Sequence, residues 1–364
     1  MNPEDPVGII ELGNINITCL IFKIKNNNDL EILSTSTTHS EGVYNDVVVN
    51  LTKASNAIRS CISVAEKRAK ISLKKINVIL EQPDFLCTKF SKRKKIDGSK
   101  IHKDDIEFLL KEAKKQLILN DKNQSIIHIF NHNYIVDGKI FADEPIGVYA
   151  DSLSHEMTFI TAPKNNLKNI NQALVDCDIE TERLVSRTFT LGVELLNKQE
   201  LEFGSILIDL GSEKISLGLF KNLALVHSIT LPIGVNHITK DISKVCSLNL
   251  NESEAIRNNI DFLFQDNQSL FDENNHLKKI YFINSNFRKI SKDLILRVIK
   301  ARVDEIFNTL KKQLIVPGFN LTSGISLLLV GGGFKLLNLE KYCGNFFGTN
   351  VKKKDKNDLD NKQH

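Results

Sequence analysis

The chain has 364 residues, 41% of them hydrophobic and 25% charged, with a formal net charge of +4. This length supports more than one core, and a charge balance so close to neutral argues against bulk nucleic-acid binding. Six cysteines (Cys19, Cys61, Cys87, Cys177, Cys246, Cys343) stand singly without CxxC spacing, which excludes a disulfide frame or zinc ribbon and reads as small apolar residues in a reducing compartment. No basic segment followed by an apolar run opens the sequence, and no stretch approaches the ~20 apolar residues of a membrane span. A cytoplasmic protein is expected.

In chain order, Val7–Lys23 (VGIIELGNINITCLIFK) reads as a strand, an acid-x-Gly turn (Glu11-Leu12-Gly13, then Asn14) and a returning strand. Leu30–Ser34 adds another strand. Asp46–Ala69 places Val47, Leu51, Ala54, Ile58, Cys61, Ile62 and Ala65 on one face, which predicts an amphipathic helix. Ile76–Leu80 predicts a short buried strand, and alternation of this kind suggests a mixed sheet with helices packed on it.

Residues 81–165 change character. Phe85–Phe90 predicts a strand beside a basic cluster of Lys89, Lys92, Arg93, Lys94 and Lys95. His102–Leu119 predicts a helix, and Ile126–Phe130, Tyr134–Val136 and Glu156–Thr161 predict three short strands. The expectation is an inserted subdomain of one helix on a small sheet, with Pro163 and Asn165-Asn166 at its exit. The basic cluster has no ordered aromatic platform, so it reads as a solvated face and not a nucleic-acid site.

Asn166–Cys177 and Glu182–Leu196 predict helices, joined by a charged linker, Lys198–Glu202, to Ser205–Phe220 (SILIDLGSEKISLGLF). There the acid-x-Gly hairpin returns as Asp209-Leu210-Gly211, tipped by Ser212-Glu213-Lys214. An acid at a strand end beside a turn glycine presents N–H groups and a carboxylate to a phosphate and its metal; an ordinary hairpin with a polar tip is the alternative. Leu223–Leu231 continues the sheet and Ile233–Ile242 turns into a helix. Asn251-Glu252-Ser253-Glu254 has a capping-box pattern, and Arg257 stands at ion-pair spacing from Glu254. Gln265–Lys279 reads as a polar loop and Ile280–Ile283 as a strand. Asp293–Leu314 is the longest helix, ended by Pro317-Gly318. Ile325–Val330 feeds a glycine triplet, Gly331-Gly332-Gly333. From Lys352 the tail is charged, polar and expected to be disordered.

Two acid-x-Gly hairpins followed by a strand ending in a glycine triplet resemble the phosphate-1, phosphate-2 and adenosine motifs of the actin-like ATPase superfamily. A narrower likeness lies in the insertion. Tyr134, Val136, Asp137, Gly138, Pro145, Ile146, Gly147, Leu153 and His155 stand in the order of the Y-x-V-D-G, P-[IV]-G and L-x-x-x-H segment of the FtsA family. Gly42, Val43, Asn45 and Asp46 resemble that family's G-V-x-N-D. Pro232, Gly234, Ile238, Thr239 and Asp241 resemble its P-x-G-x-x-x-I-T-x-D-I. From about Val7 to about Phe347 the chain resembles FtsA, the bacterial cell-division family.

The resemblance implies an α/β, actin-like (ribonuclease H-like, duplicated) fold with two lobes around a nucleotide cleft and an inserted small α+β subdomain. Residues 1–80 and 166–198 would form subdomain IA, and 81–165 the inserted, SHS2-like IC. Residues 199–240 and 296–348 would form IIA with a return to IA, 241–295 would form IIB, and 349–364 a disordered tail. It implies nucleotide contacts at Glu11, Gly13, Asn14, Asp209, Gly211, Gly234, Gly331, Gly332 and Gly333. Glu254 and Arg257 would reach the ribose and adenine, and Asp209 would hold Mg2+ through water; no catalytic residue is assigned. It implies a scaffold that links FtsZ filaments to the inner membrane and recruits later divisome proteins. Its partners would be the FtsZ C-terminal peptide, further copies of itself through actin-like contacts, other divisome proteins and the membrane, with no nucleic acid. Its place would be the cytoplasmic face of the inner membrane at the division site.

The departures concentrate in the phosphate motifs. Where the family has roughly D-[IL]-G-G-G-T-[TM]-D, this chain has Asp209-Leu210-Gly211-Ser212-Glu213-Lys214-Ile215-Ser216. In the first motif Glu11 replaces Asp and Asn14 replaces a small hydroxyl residue. A non-glycine residue in a left-handed conformation costs roughly 1–2 kcal/mol. A carboxylate about 4 Å from a phosphate adds repulsion on the order of 4 kcal/mol at a surface-like dielectric. Lys214 would offset it if it faced the cleft, but strand alternation turns Glu213 and Lys214 opposite ways. ATP and Mg2+ binding is therefore expected to be weakened by Ser212, Glu213, Lys214 and Ser216, with ATPase activity weakened or lost. The alternatives are an active actin-fold ATPase and a pilus-assembly adaptor of the same fold. The tail has no apolar face, so membrane attachment is expected to be indirect or weak.

Overall fold

The computed structural model describes residues 5–25, 29–263, 267–282, 289–315 and 325–353. It divides into two compact units, Met1–Glu194 with Asn222–Ser228, and Leu195–Lys221 with Ile229–His364.

The first unit opens with β1 (Val7–Leu12), β2 (Asn16–Ile24) and β3 (Leu30–His39), followed by the two-residue strands β4 (Val43–Tyr44) and β5 (Val47–Val48). Helix α1 (Leu51–Ala69) starts later than its apolar periodicity suggests: Asp46 sits at φ 58°, outside the helical range, and Val47, expected on the helix face, lies in β5. Asn50 caps it by accepting from the Lys53 amide at 3.0 Å. Its buried face is Ala54, Ala57, Ile58, Cys61, Ile62 and Ala65. Each fully buried isoleucine there contributes on the order of 1.5–3 kcal/mol. β6 (Lys75–Leu80) pairs parallel with β1 and with β11 (Glu180–Ser186), giving a five-stranded sheet in the order β11-β6-β1-β2-β3.

Between β6 and β11 lies the insertion: β7 (Leu86–Lys100), α2 (Lys103–Asn120), β8 (Gln124–Val136), β9 (Lys139–Phe141) and β10 (Tyr149–Pro163), followed by α3 (Lys164–Val175). Its strands form a separate sheet ordered β7-β10-β8-β9. Helix α2 buries Ile106, Leu109, Ala113 and Leu117 with Phe90, Met157, Phe159 and Leu153 of that sheet. The predicted strand Phe85–Phe90 runs on to Lys100, so the basic cluster is part of a strand. There Lys94 bonds Asp105 at 2.6 Å and Lys92 bonds Gln116, both on α2. The three short strands predicted further on are two long ones, β8 and β10, whose antiparallel pairing continues past a register shift at Glu156/Met157. Residues Asn222–Ser228 also belong to this unit, where Asn222 Nδ2 donates to Asn133 Oδ1 at 2.8 Å.

The predicted helix Glu182–Leu196 is instead the end of β11 followed by α4 (Arg187–Leu195). Parallel pairing with β6 holds Glu180–Ser186 extended. The supposed linker Lys198–Glu202 is α5 (Lys198–Phe203), nucleated by a reciprocal capping box between Asn197 and Glu200.

The second unit is built on β12 (Ser205–Leu210), β13 (Ile215–Lys221), the last three residues of β14 (Ala224–Leu231), α6 (Val235–Cys246), α7 (Leu250–Asn259), α8 (Lys292–Gln313), β15 (Ser326–Val330), α9 (Leu339–Phe347) and β16 (Val351–Lys353). The sheet order is β14-β13-β12-β15-β16, with β12, β15 and β16 mutually parallel. All six residues of β12 are buried, which explains its continuous apolar run. Lys352 and Lys353, assigned to a disordered tail, pair with Leu328 and Leu329; residues 354–364 lie outside the described residues. The strand expected at Ile280–Ile283 is a 3-10 turn, Lys279–Tyr281. Ile283 and the Pro317-Gly318 stop lie outside the described residues.

Candidate functional site

The two acid-x-Gly hairpins have the same local geometry. In the first, Gly13 N donates to Asn16 O at 3.1 Å, and Glu11 pairs with Thr18 across β1 and β2. In the second, Gly211 N donates to Lys214 O at 3.0 Å, and Asp209 pairs with Ser216. A Cβ on either glycine would lie 2.6 Å from the carbonyl oxygen that closes its turn. The acid therefore stands at an equivalent place in each unit, directly opposite a hydroxyl residue.

In the first unit, Glu11 forms an ion pair with Arg187 at the start of α4. Asn14 and Asn45 clasp each other: Asn14 Nδ2 donates to Asn45 Oδ1 at 3.0 Å, and Asn45 N donates to Asn14 Oδ1 at 2.5 Å. Beside them runs a buried polar chain. Asp46 accepts from Glu81 N at 2.7 Å, and Glu81 Oε2 accepts from Ser186 Oγ at 2.7 Å and Thr188 N at 2.9 Å. Arg187 and Glu81 carried no signal in the sequence, because Arg187 pairs with Glu11 and the Glu81 carboxylate with Ser186 and Thr188, each more than a hundred residues away.

In the second unit, the sequence-derived residues converge at one end of β12 and β15. Gly331 has φ +96°, and a Cβ there would lie 2.3 Å from Asp209 Oδ1. Gly333 packs against Leu210 and Val235, whereas Gly332 has nothing within 4 Å of a Cβ position. Gly234 sits at the start of α6 so tightly that a Cβ would lie 2.3 Å from Ser212 O.

Glu254 is not a capping residue. The capping box of α7 joins Asn249 to Glu252, two residues earlier than the sequence pattern suggested. Glu254 is then free to bond Arg257 at 3.0 Å, as its spacing predicted. Arg257 is buried and also donates to Asn236 Oδ1 at 3.1 Å and Thr239 Oγ1 at 2.9 Å, both on α6. Burial pulls its pKa down, against the opposing pull of Glu254.

Glu213 is the largest departure from expectation. Its carboxylate accepts from Asn236 Nδ2 at 2.9 Å and from Lys240 Nζ at 3.0 Å. Lys240, and not the adjacent Lys214, is thus a cation paired with it. Burial works to raise the Glu213 pKa, but the hydrogen bonds from Asn236 and Lys240, together with the charges of Lys240 and His237, hold the carboxyl below the usual glutamate value.

An actin-like fold implies ATP and Mg2+, and this donor set matches them only in part. Asp209 stands at the strand end where a water-mediated metal contact would be made, and the glycines keep the backbone open. The Glu213 carboxylate opposes a phosphate at the same hairpin. Among the described residues no group of three or more His, Cys, Asp or Glu side chains forms a metal site. Nor is any helix among them long and apolar enough to cross a membrane.

The family profile described as "Cell division protein FtsA" matches residues 206–363, and that described as "SHS2 domain inserted in FTSA" matches residues 86–161. Curated FtsA proteins align along nearly the whole chain. The one from Streptococcus pneumoniae is 26% identical, covering 94% of this chain and 74% of its own length. That from Agrobacterium fabrum is 22% identical, covering 95% and 80%. Among solved structures, a PilM-PilN type IV pilus biogenesis complex superposes with a TM-score of 0.66 at 13% identity, covering 97% of this chain and 89% of the other. MreB5 of Spiroplasma citri bound to ADP gives 0.51 at 14%, covering 96% and 91%. At such identities the structural likeness establishes the actin-like fold alone. Matched by both profiles, and by these curated relatives over 94–95% of its length, the chain belongs to the FtsA family of cell-division proteins.

Proposed function

We propose that this chain is a division scaffold that binds the C-terminal peptide of FtsZ, self-associates through actin-like contacts and recruits later divisome proteins. It acts at the cytoplasmic face of the inner membrane at the division site. The observation that carries this reading is the insertion: a helix on a four-stranded sheet, within residues matched by the FtsA-specific SHS2 profile. Glu11, Gly13, Asn14, Asp209, Gly211, Gly234, Glu254, Arg257 and Gly331–Gly333 are, in this proposal, the remnant of a nucleotide site. ATP and Mg2+ are weak ligands there, and hydrolysis is not the protein's task. The Glu11–Arg187 pair and the internally bonded Glu213 support this view, since each gives a hairpin carboxylate a partner within the protein.

Co-sedimentation with FtsZ filaments of the same organism tests the scaffold. Binding is expected with intact FtsZ and is expected to vanish with FtsZ lacking its C-terminal peptide. Folded protein that stays in the supernatant with intact FtsZ overturns the proposal.

A further inference from the structure

A helix start offers free amide donors and a positive dipole end, which favour an anion, and the start of α6 lies beside the second hairpin. Here its donors are spent inside the protein. Gly234 N donates to His237 Nδ1 at 3.1 Å, Val235 N to Gly211 O at 3.1 Å, Asn236 N to Ser212 O at 2.9 Å, and His237 N to Gly234 O at 3.0 Å. Two of those acceptors, Gly211 O and Ser212 O, belong to the hairpin turn itself.

We propose that Glu213 is a built-in anion: its carboxylate, seated against the first turns of α6, stands in for a phosphate group and latches the hairpin to that helix without nucleotide. The proposal rests on reading Ser205–Phe220 as a phosphate-type hairpin. Its chemistry is that of a phosphate contact, with an amide N–H donor and an ammonium on the two carboxylate oxygens. The side chain is only 16% exposed. The half-exposed Lys240 adds little alone, so Asn236 is the anchor of the latch.

Asn236 is itself held. Its Oδ1 accepts from Arg257, which turns its Nδ2 toward Glu213, and Arg257 is fixed in turn by Glu254 and Thr239. The contact is therefore pre-organised from α7 through α6 to the hairpin. A phosphate and the Glu213 carboxylate are like charges competing for one cationic, donor-lined place, so nucleotide enters only when Glu213 leaves.

The test uses the full chain as wild type, E213Q and S212G/E213G, with Mg-ATP affinity read by isothermal titration calorimetry and folding read by circular dichroism. Affinity is expected to rise at least about tenfold in S212G/E213G, equivalent to ~1.4 kcal/mol. E213Q, which removes the charge and keeps the shape, is expected to fall between. Without nucleotide the double variant should melt below wild type, and Mg-ATP should raise its melting temperature more than that of wild type. Equal affinity in wild type and E213Q, tighter binding in wild type, or no detectable binding in any of the three overturns the latch. If the double variant does not fold, E213Q alone decides.

FtsZ co-sedimentation on the same samples separates the two ideas. FtsZ binding without a nucleotide gain removes the latch and leaves the scaffold. A nucleotide gain without FtsZ binding removes the scaffold and leaves the latch.

Discussion

Gly331 and Gly332 are adjacent and chemically identical, yet only Gly331 is expected to be sensitive to an added methyl group. Gly331 adopts φ +96°, and a Cβ there would meet Asp209 Oδ1 at 2.3 Å, Leu210 O at 2.7 Å and Leu210 N at 2.9 Å. Two of those atoms are backbone of the buried strand β12 and cannot swing aside. The conformational cost of a non-glycine residue at such φ is about 1–2 kcal/mol, and forcing atoms into a packed place adds about 1–3 kcal/mol. Gly331→Ala is therefore expected to destabilise by ~2–5 kcal/mol. Gly332→Ala meets nothing within 4 Å and has no positive φ, so its effect should stay within about 0.5 kcal/mol of zero. Urea denaturation followed by far-ultraviolet circular dichroism gives both midpoints. Equal midpoints for the two variants would refute the claim that the glycine triplet is needed at Gly331 for close approach to β12.

Three further outcomes are expected. Asn222 and Leu223 form the turn between β13 and β14 at φ 53° and 61°; Leu223→Gly should raise stability by roughly 0.5–1 kcal/mol in the same assay, and a loss would show that the exposed leucine side chain matters more than its backbone. Glu81 is 1% exposed and accepts from Ser186 Oγ and Thr188 N; Glu81→Ala should cost about 1–3 kcal/mol for each stranded donor, and Glu81→Gln, which keeps an acceptor, should cost less. His155 is buried and stacked on Tyr134 with ring centroids 4.3 Å apart, and burial pushes its pKa down to about 4. Because the folded state keeps it neutral while the unfolded chain takes up a proton below its ordinary value of 6.5, its contribution is full above pH 6.5 and is lost as the pH falls toward about 4. His155→Phe should flatten that decline by up to about 1.4 kcal/mol per pH unit; an unchanged slope in the pH profile of thermal stability would count against a neutral buried imidazole.

Periodicity located the elements whose partners are implied by one face: α1, α2, α8 and the hairpin strands all stand near their expected places. It failed where a distant partner decides. Glu180–Ser186 carries helix-compatible residues yet is a strand, because β6 supplies its hydrogen bonds from a hundred residues away. Lys198–Glu202 reads as a linker because a helix of six residues, Lys198–Phe203, shows too little periodicity, and the capping box that starts it depends on Asn197. The α7 cap is Asn249 and not Asn251, because two overlapping patterns share the stretch and the reciprocal bonds form between Asn249 and Glu252.

The sequence alone determined the family, the duplicated acid-x-Gly turns and the loss of glycine at the second tip, since each is written in residue types at fixed local spacing. Tertiary structure decided what those substitutions do. Glu213 reads in the sequence as a repelling charge, but the fold brings Asn236 and Lys240 to it from the next helix and makes it a bonded group. Glu11 likewise finds Arg187. The sign of a carboxylate's contribution depends on which donors surround it within a few ångströms, and chain folding, not local spacing, sets that neighbourhood.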